Sequence, residues 1–148
     1  MEAILLIGLQ GAGKSSFYQE RFFRSHVHIS LDVLKTRHRE QRFLNTCFET
    51  QQRFVIDNTN PSRAERSRYI AAARAAGYAI RGYYFQSRIE DCRRRNANRT
   101  GHECVPDVAI FSTAKVLEFP SREEGFDSVF YVRIVAGQFV VEEWRDEV

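Results

Sequence analysis

The stretch Gly8-Leu-Gln-Gly11-Ala-Gly13-Lys14-Ser15 determines the fold class. It fits the pattern G-x-x-x-x-G-K-[ST] at every fixed position. The apolar run Ala3–Ile7 before it predicts a buried parallel strand, and Lys14–Phe23 after it predicts a helix. A strand, a glycine-rich turn and a helix in this order predict a phosphate-binding loop, or P-loop.

Each residue type in this loop has a chemical reason to be there. Glycines let the backbone curl so that successive N–H groups point at phosphate oxygens, and the helix start adds its positive dipole end. Lys14 can reach the β- and γ-phosphates, and the Ser15 hydroxyl can bind magnesium. The predicted nucleotide-binding residues are Gly8, Gly11, Ala12, Gly13, Lys14, Ser15 and Ser16.

Two other nucleotide-binding classes fit the sequence poorly. The dinucleotide fingerprint G-x-G-x-x-G fails because Ser16 stands where the third glycine should be. A GTPase should carry an NKxD-like segment after a late strand, and the sequence has none. The loop therefore indicates a nucleoside triphosphate with magnesium.

Apolar and amphipathic segments alternate along the 148 residues, which suit a single domain over residues 1–148. Strands separated by helices predict an α/β P-loop NTPase with a mostly parallel five-stranded sheet. The segment 139–141 could pair with the last strand across the Gly137 turn. The predicted strands are Ala3–Ile7, Val27–Ile29, Phe54–Ile56, Ala79–Phe85 and Val129–Val135. The further predicted helices are Asp32 to about Gln52, a Ser62-capped helix to about Ala76, Arg88–Arg99 and Asp107–Leu117.

Composition predicts a cytoplasmic protein without a structural metal. The longest apolar run near the start is too short to span a bilayer and lacks the flanks of a signal peptide. The three cysteines are widely spaced, which suits a reducing compartment. Neither the His26–His28 pair nor His102 with Cys104 makes a four-ligand zinc pattern.

The charge balance is mildly basic at +3, but 19 of the 22 lysine and arginine residues are arginine. A guanidinium grips phosphate with a planar fork of donors, so this bias suits a phosphate-rich substrate. A general preference for arginine codons explains it equally well, and charge alone leaves the partner open.

Two aspartates follow predicted strands at the edge where α/β sheets bind ligands. Asp32 comes just after the second strand, where it could face the γ-phosphate or cap the next helix. Asp57 ends the third strand, where it could hold magnesium or belong to the turn Asp-Asn-Thr-Asn-Pro. The magnesium role is favoured for Asp57 because the P-loop already requires that ion.

A very basic helix is predicted late in the chain. Arg95 and Arg99 are four residues apart and share a helical face, to which Arg88 lies close. These arginines could close as a lid over the phosphates, or they could form a solvated basic face.

Several segments taken in order resemble the 5′-kinase domain of polynucleotide kinase–phosphatases, and the match runs from about residue 3 to 134. The Asp-Asn-Thr-Asn-Pro and Arg-Asn-x-x-Arg segments are the most specific in combination. The matching segments are the P-loop, Ile29-Ser-Leu-Asp32, Val55–Pro61, Arg68-Tyr-Ile70, Ala73–Gly77, Arg95-Asn-x-x-Arg99, Val105-Pro106, Glu118-x-Pro120 and Glu124-Gly-Phe-Asp127.

The resemblance implies an adenylate-kinase-like three-layer fold and ATP-dependent phosphorylation of 5′-OH ends of DNA or RNA. It implies that Asp32 is the general base and that Arg95 and Arg99 belong to a lid over about residues 88–106, which contacts the ATP phosphates together with the catalytic Lys14. It also implies that Asp57, Thr59 and Asn60 line the acceptor site or support the metal.

The sequence departs from this family at two points. In the phage-type members, an arginine three residues after the general base binds the phosphate next to the acceptor hydroxyl. This chain has Lys35 at that position. No Asp-x-Asp-x-Thr phosphatase motif occurs, so we expect a kinase activity alone. Two other functions stay open: a kinase of a small hydroxyl metabolite, nucleoside or antibiotic, and a regulatory module that binds ATP without transfer. The oligomeric state is left open.

Overall fold

The computed structural model describes residues 1–101 and 104–145, which form an α/β fold around a six-stranded sheet. The strand order is β2-β3-β1-β4-β5-β6, with parallel pairing up to β5 and an antiparallel β5–β6 pair. The strands are β1 Glu2–Ile7, β2 Val27–Ile29, β3 Phe54–Asp57, β4 Ala79–Phe85, β5 Ser128–Val135 and β6 Gln138–Glu143.

The predicted count of five strands was one too low. Ala136 and Gly137 have φ values of 51° and 75°, so they make a two-residue hairpin turn of the kind that matches strand twist. The chain therefore returns along β5 and forms a complete sixth strand over Gln138–Glu143.

The helices are α1 Lys14–Arg21, α2 Leu31–Leu34, α3 Arg37–Thr50, α4 Arg63–Ala75, α5 Ile89–Ala97 and α6 Asp107–Val116. The prediction of one helix from Asp32 to about Gln52 was wrong. Lys35 has φ of 74°, which no helix interior allows, and Thr36 starts a new helix by accepting a hydrogen bond from Arg39 N. The expected cap at Ser62 is confirmed, because its Oγ accepts from Glu65 N at 3.2 Å.

Helices cover both faces of the sheet, and β1 lies near its centre with every residue after Glu2 buried. Leu5 of β1 packs into a cluster with α3 and α4, while Leu6 packs into a second cluster with α1, α5 and α6. This arrangement explains why the strand is apolar at nearly every position and shows no alternation. It confirms the predicted three-layer fold. No helix within the described ranges is long and apolar enough to cross a membrane.

A buried ion pair fastens the loop after β3 to the rest of the domain. Arg66 of α4 is fully buried, and its Nε and Nη2 donate to the two carboxylate oxygens of Glu124 at 2.9 and 3.1 Å. Its Nη1 donates to Asn60 O at 2.9 Å and to the carbonyl oxygens of Pro61 and Glu118. Five donated hydrogen bonds satisfy the charge that burial would otherwise make costly.

We expect Arg66→Ala to lower the free energy of unfolding by about 3 kcal/mol, because it removes five hydrogen bonds from buried acceptors, of which, among the described residues, Glu124 keeps only the bond from Ser121 N and Pro61 O only the bond from Glu118 N. Arg68→Ala is the matched control, since Arg68 is an exposed arginine of the same helix. Urea denaturation followed by circular dichroism measures both. A loss of unfolding free energy in Arg66→Ala no larger than in the control would show that the Arg66 hydrogen bonds do not stabilise the fold.

Candidate nucleotide and acceptor site

At one position the P-loop backbone lies so close to a neighbouring helix that only glycine fits there. Gly11 has φ of 82°, and a Cβ built on it would collide with the carbonyl oxygen of Cys92 in α5. The start of the loop is tied to its neighbours, since Gly8 N donates to Thr59 O at 3.0 Å and Leu9 N to Ser87 Oγ at 3.1 Å. The loop therefore packs directly against the first helix of the predicted lid.

We expect Gly11→Ala to weaken nucleotide binding by about tenfold or more, because the new methyl group strains the backbone and pushes the loop off α5. Gly77→Ala is the control: Gly77 has a similar φ of 80°, but its Cβ would have open space around it. The control should lose about 1–2 kcal/mol of stability and keep its nucleotide affinity. Titration with a fluorescent ATP analogue, beside thermal melting, separates the two effects. Equal affinities in the two variants would contradict the packing argument.

Lys14 begins α1 and is buried, with 7% of its surface exposed. Its Nζ donates to Gly8 O at 2.9 Å and to Leu9 O at 2.7 Å, so the side chain folds back over the loop. The pKa of Lys14 is lowered to about 8, mainly by burial and to a smaller extent by the positive charge of Arg99, while the carboxylates of Asp57 and Asp32 oppose the shift. The ammonium thus sits where a triphosphate would supply the missing negative charge.

The lowered pKa of Lys14 predicts proton uptake on nucleotide binding. At pH 8.5 much of Lys14 is neutral, because its pKa is about 8, and phosphate charge should raise that pKa again. Binding should therefore weaken as the pH rises through 8 and should take up a fraction of a proton at pH 8.5. Isothermal titration calorimetry in buffers of different ionisation enthalpy measures the uptake, with pH 7.0 as the control. A binding heat at pH 8.5 that does not depend on the buffer would overturn this expectation.

Asp57 is the last residue of β3, and only 5% of its surface is exposed. Its Oδ2 accepts hydrogen bonds from Ser15 Oγ and from His28 Nε2, each at 2.7 Å. Burial acts to raise the pKa of Asp57, but the His28 hydrogen bond, the charge of Lys14 and the Ser15 hydroxyl outweigh it and hold that pKa below its ordinary value. The side chain is therefore an ionised carboxylate beside the P-loop.

This donor set fits magnesium. A hydroxyl from Ser15 and a carboxylate from Asp57 are hard oxygen donors, and magnesium keeps few protein ligands besides waters and substrate phosphates. Within residues 1–101 and 104–145, no three His, Cys, Asp or Glu side chains group closely enough to hold a metal by themselves. Ser15 and Asp57 could thus hold an ion that takes its other ligands from the nucleotide.

Asp32 lies in the first turn of α2 and is not its cap. Ser30 is the N-cap, and its Oγ accepts from Asp32 N at 3.2 Å. The alternative that Asp32 caps the helix is therefore wrong.

Two cavities open at the carboxyl ends of the central strands. The first encloses about 260 Å³ and is lined by Gln10, Lys14, Ser15, Leu31, Asp32, Asp57, Asn58, Thr59, Arg99 and Val105. The second encloses about 520 Å³ and is lined by Ser15, Ser16, Gln19, His28, Ser30, Asp32, Val33, Lys35 and Arg99. Ser15, Asp32 and Arg99 line both, so the two cavities meet at these three side chains.

The structure divides the basic segment into two parts. Arg93 and Arg94 make ion pairs with acidic neighbours at the surface, as the solvated-face alternative expects. Arg95 instead donates from Nη1 to Gly11 O at 3.3 Å, and Arg99 lines both cavities beyond the end of α5. Residues 102–103 of the predicted lid lie outside the described ranges.

The family comparison rests on the middle of the chain. A family model described as an AAA domain matches residues 36–120, more than half of the sequence. The chain belongs to this AAA domain family. The match spans the loop after β3, the basic helix α5 and Glu118, whose carbonyl oxygen accepts a hydrogen bond from Arg66.

Two curated relatives of this AAA domain bear the same kind of name. A bifunctional polynucleotide phosphatase/kinase of Schizosaccharomyces pombe is 29% identical over 86% of this chain and 32% of the relative. A putative bifunctional polynucleotide phosphatase/kinase of Acanthamoeba polyphaga mimivirus is 29% identical, with the same coverage of both chains. These matches confirm the resemblance seen in the motifs. The chain spans about a third of the length of the curated relatives it matches.

Solved structures with this fold include P-loop kinases. A gluconokinase from Sinorhizobium meliloti 1021 superimposes with a TM-score of 0.62, at 19% identity, over 89% of this chain and 82% of that chain. The AAA domain described here therefore has the fold of P-loop kinases, as the sequence predicted.

Most of the predicted site residues come together in this AAA domain. Lys14, Ser15, Asp32, Asp57 and Thr59 line the first cavity, and Ser16 and Lys35 line the second. Asn60 has a different position: it is buried, and its Nδ2 donates to Leu6 O at 2.7 Å, which ties the loop to β1. Its predicted contact with substrate stays a prediction.

Sequence reasoning missed two polar side chains of the site. His28 contacts Asp57, and Asn58 joins β3 to α2 because its Oδ1 accepts from Leu31 N at 2.9 Å. The Asn58 amide is oriented by Glu40, whose Oε2 accepts from Nδ2 at 3.1 Å. The sequence pattern pointed only weakly to these residues. Asn58 belongs to the Asp-Asn-Thr-Asn motif, while Glu40 is one of many charged residues in its helix and no motif includes it.

Proposed function

We propose that the protein is an ATP-dependent polynucleotide 5′-hydroxyl kinase. The observation that carries the proposal is the meeting of the two cavities at Ser15, Asp32 and Arg99. One cavity contains the phosphate-binding lysine, and the other opens away from it past Lys35. A phosphoryl group that moves from one cavity to the other must pass these three side chains.

The residues suit an in-line transfer. The P-loop backbone binds the triphosphate. Asp32 accepts the proton of the acceptor hydroxyl while the hydroxyl oxygen forms a bond to the γ-phosphorus. The bond from that phosphorus to the β,γ-bridging oxygen breaks, and ADP leaves. Lys14 and Arg99 stabilise the charge that develops on the transferred group, with Arg95 supporting the loop at Gly11. Magnesium bound through Ser15 and Asp57 would neutralise further phosphate charge.

A nucleic-acid end is the acceptor that the site favours. The acceptor cavity has a basic side chain, Lys35, one α2 turn away from Asp32, so a phosphate next to the hydroxyl would meet a cation. The curated relatives carry polynucleotide phosphatase/kinase in their names. Single-strand binding should then weaken with added salt.

We also propose a cytoplasmic location, on the basis of the free thiols of Cys47, Cys92 and Cys104.

A small hydroxyl compound is the second candidate acceptor. The gluconokinase likeness and a cavity of about 520 Å³, which would enclose a sugar or nucleoside, favour it. A regulatory module that binds ATP without transfer is the third candidate, and the placement of Asp32 between the cavities argues against it.

The test is transfer of label from γ-labelled ATP to 5′-OH oligonucleotides of DNA and RNA, with nucleosides and gluconate as competing acceptors. We expect end-labelled oligonucleotides. Labelling of the small acceptors alone would support the second candidate, and ATP binding without any transfer would support the third.

Asp32→Ala should lower turnover about a hundredfold or more, because the acceptor hydroxyl loses its base, while ATP affinity stays close to that of the natural protein. Glu49→Ala is the control, since Glu49 is an exposed carboxylate on α3. Steady-state end-labelling and nucleotide titration measure the two quantities. Turnover that survives in Asp32→Ala would remove Asp32 from the mechanism.

A further inference from the structure

His28 contacts the carboxylate of Asp57, the proposed magnesium ligand, and has no role in the transfer mechanism described above. His28 of β2 places Nε2 at 2.7 Å from Asp57 Oδ2, the same oxygen that accepts from Ser15. The carboxylate is ionised and can only accept, so His28 Nε2 carries the proton and donates it. Both contacts fall on one oxygen, so Oδ1 would be the oxygen available to an ion.

The imidazole is itself held in place by its neighbours. The ring of His28 stacks on the ring of Tyr18, with centroids 4.1 Å apart and an angle of 21° between the planes. Tyr18 belongs to α1, the helix that starts at the P-loop, and its hydroxyl donates to His26 O at 2.6 Å. The stack therefore connects the P-loop helix, β2 and the Asp57 side chain.

The position of His28 differs from that of an ordinary buried histidine. About 30% of its side chain is exposed, and the exposed part lines the larger cavity that also contains Asp32. His26, two residues earlier, makes a chemically equal pair with Glu2 at 2.7 Å, but neither of those residues lines the cavities. Residues 1–101 and 104–145 thus provide one histidine–carboxylate pair at the site and one away from it.

We propose that His28 is a positioning residue for magnesium: it holds Asp57 in the orientation that presents its other oxygen to a nucleotide-bound ion. Without this donor, Oδ2 would keep only the Ser15 hydroxyl, and the carboxylate could turn about its last torsion. Groups that orient metal ligands commonly change metal affinity by about 10–100-fold when they are removed. The inference rests on the proposed nucleotide and magnesium site, but it does not depend on which acceptor is phosphorylated.

The experiment measures magnesium dependence of nucleotide binding, without any acceptor. A fluorescent ATP analogue is held at fixed concentration, and magnesium is titrated into the natural protein and three variants. His28→Phe keeps a ring against Tyr18 and loses the donor, His28→Gln keeps an N–H that can reach Asp57, and His26→Gln is the control at the second pair.

We expect His28→Phe to raise the magnesium concentration for half-maximal binding about tenfold. His28→Gln should restore most of the loss, and His26→Gln should behave as the natural protein does. With EDTA in place of magnesium, all four proteins should bind the analogue equally. This last result separates a metal effect from general damage to the P-loop, which would weaken binding in both conditions.

Three results would overturn the inference: an unchanged magnesium midpoint in His28→Phe, an equal shift in His28→Gln, or an equal loss in EDTA. If His28→Phe does not fold, His28→Asn replaces it, because its shorter amide leaves the contact with Asp57 unmade. A failure of the proposed function can be distinguished from a failure of this inference. A natural protein that labels no oligonucleotide but shows the expected magnesium shift would reject the polynucleotide acceptor and keep the role of His28.

Discussion

Burial of the Lys14 ammonium is the constraint on which the rest of the site depends. A buried cation needs carbonyl oxygens and a nearby anion, and Lys14 has the Gly8 and Leu9 carbonyls and the charge of Asp57. The anion is in reach because β1 and β3 pair in parallel, with Leu6 beside Asp57. The strand register thus delivers a carboxylate to the loop that follows β1.

Around this pair, polar contacts hold loops that could otherwise adopt several conformations. Asn60 joins the end of β3 to β1, and Arg66 joins the same loop to Glu124. Asn58 in turn positions the start of α2, which carries Asp32. Each of these residues lies outside the reacting groups, yet the geometry of the reacting groups follows from them. This explains why the family-like motifs extend well beyond the P-loop.

The acceptor side shows how a helix break can serve a site. Lys35 has a left-handed backbone conformation, which ends α2 after four residues, and Thr36 then caps the separate helix α3. The break falls at Lys35, which lines the larger cavity together with Asp32, so the two side chains can meet a hydroxyl and its neighbouring phosphate there.

The sequence alone determined the P-loop, the alternation of strands and helices, and the positions of both site aspartates. Those features depend on local patterns: glycines at fixed spacing, apolar runs of strand length, and polar residues directly after them. The tertiary structure decided the role of Ser30 as a cap, the division of the arginine segment, and the contacts of His28, Glu40 and Arg66. These depend on pairs of residues far apart in the chain, because charge and hydrogen-bond partners are selected by distance in space and leave no period in the sequence.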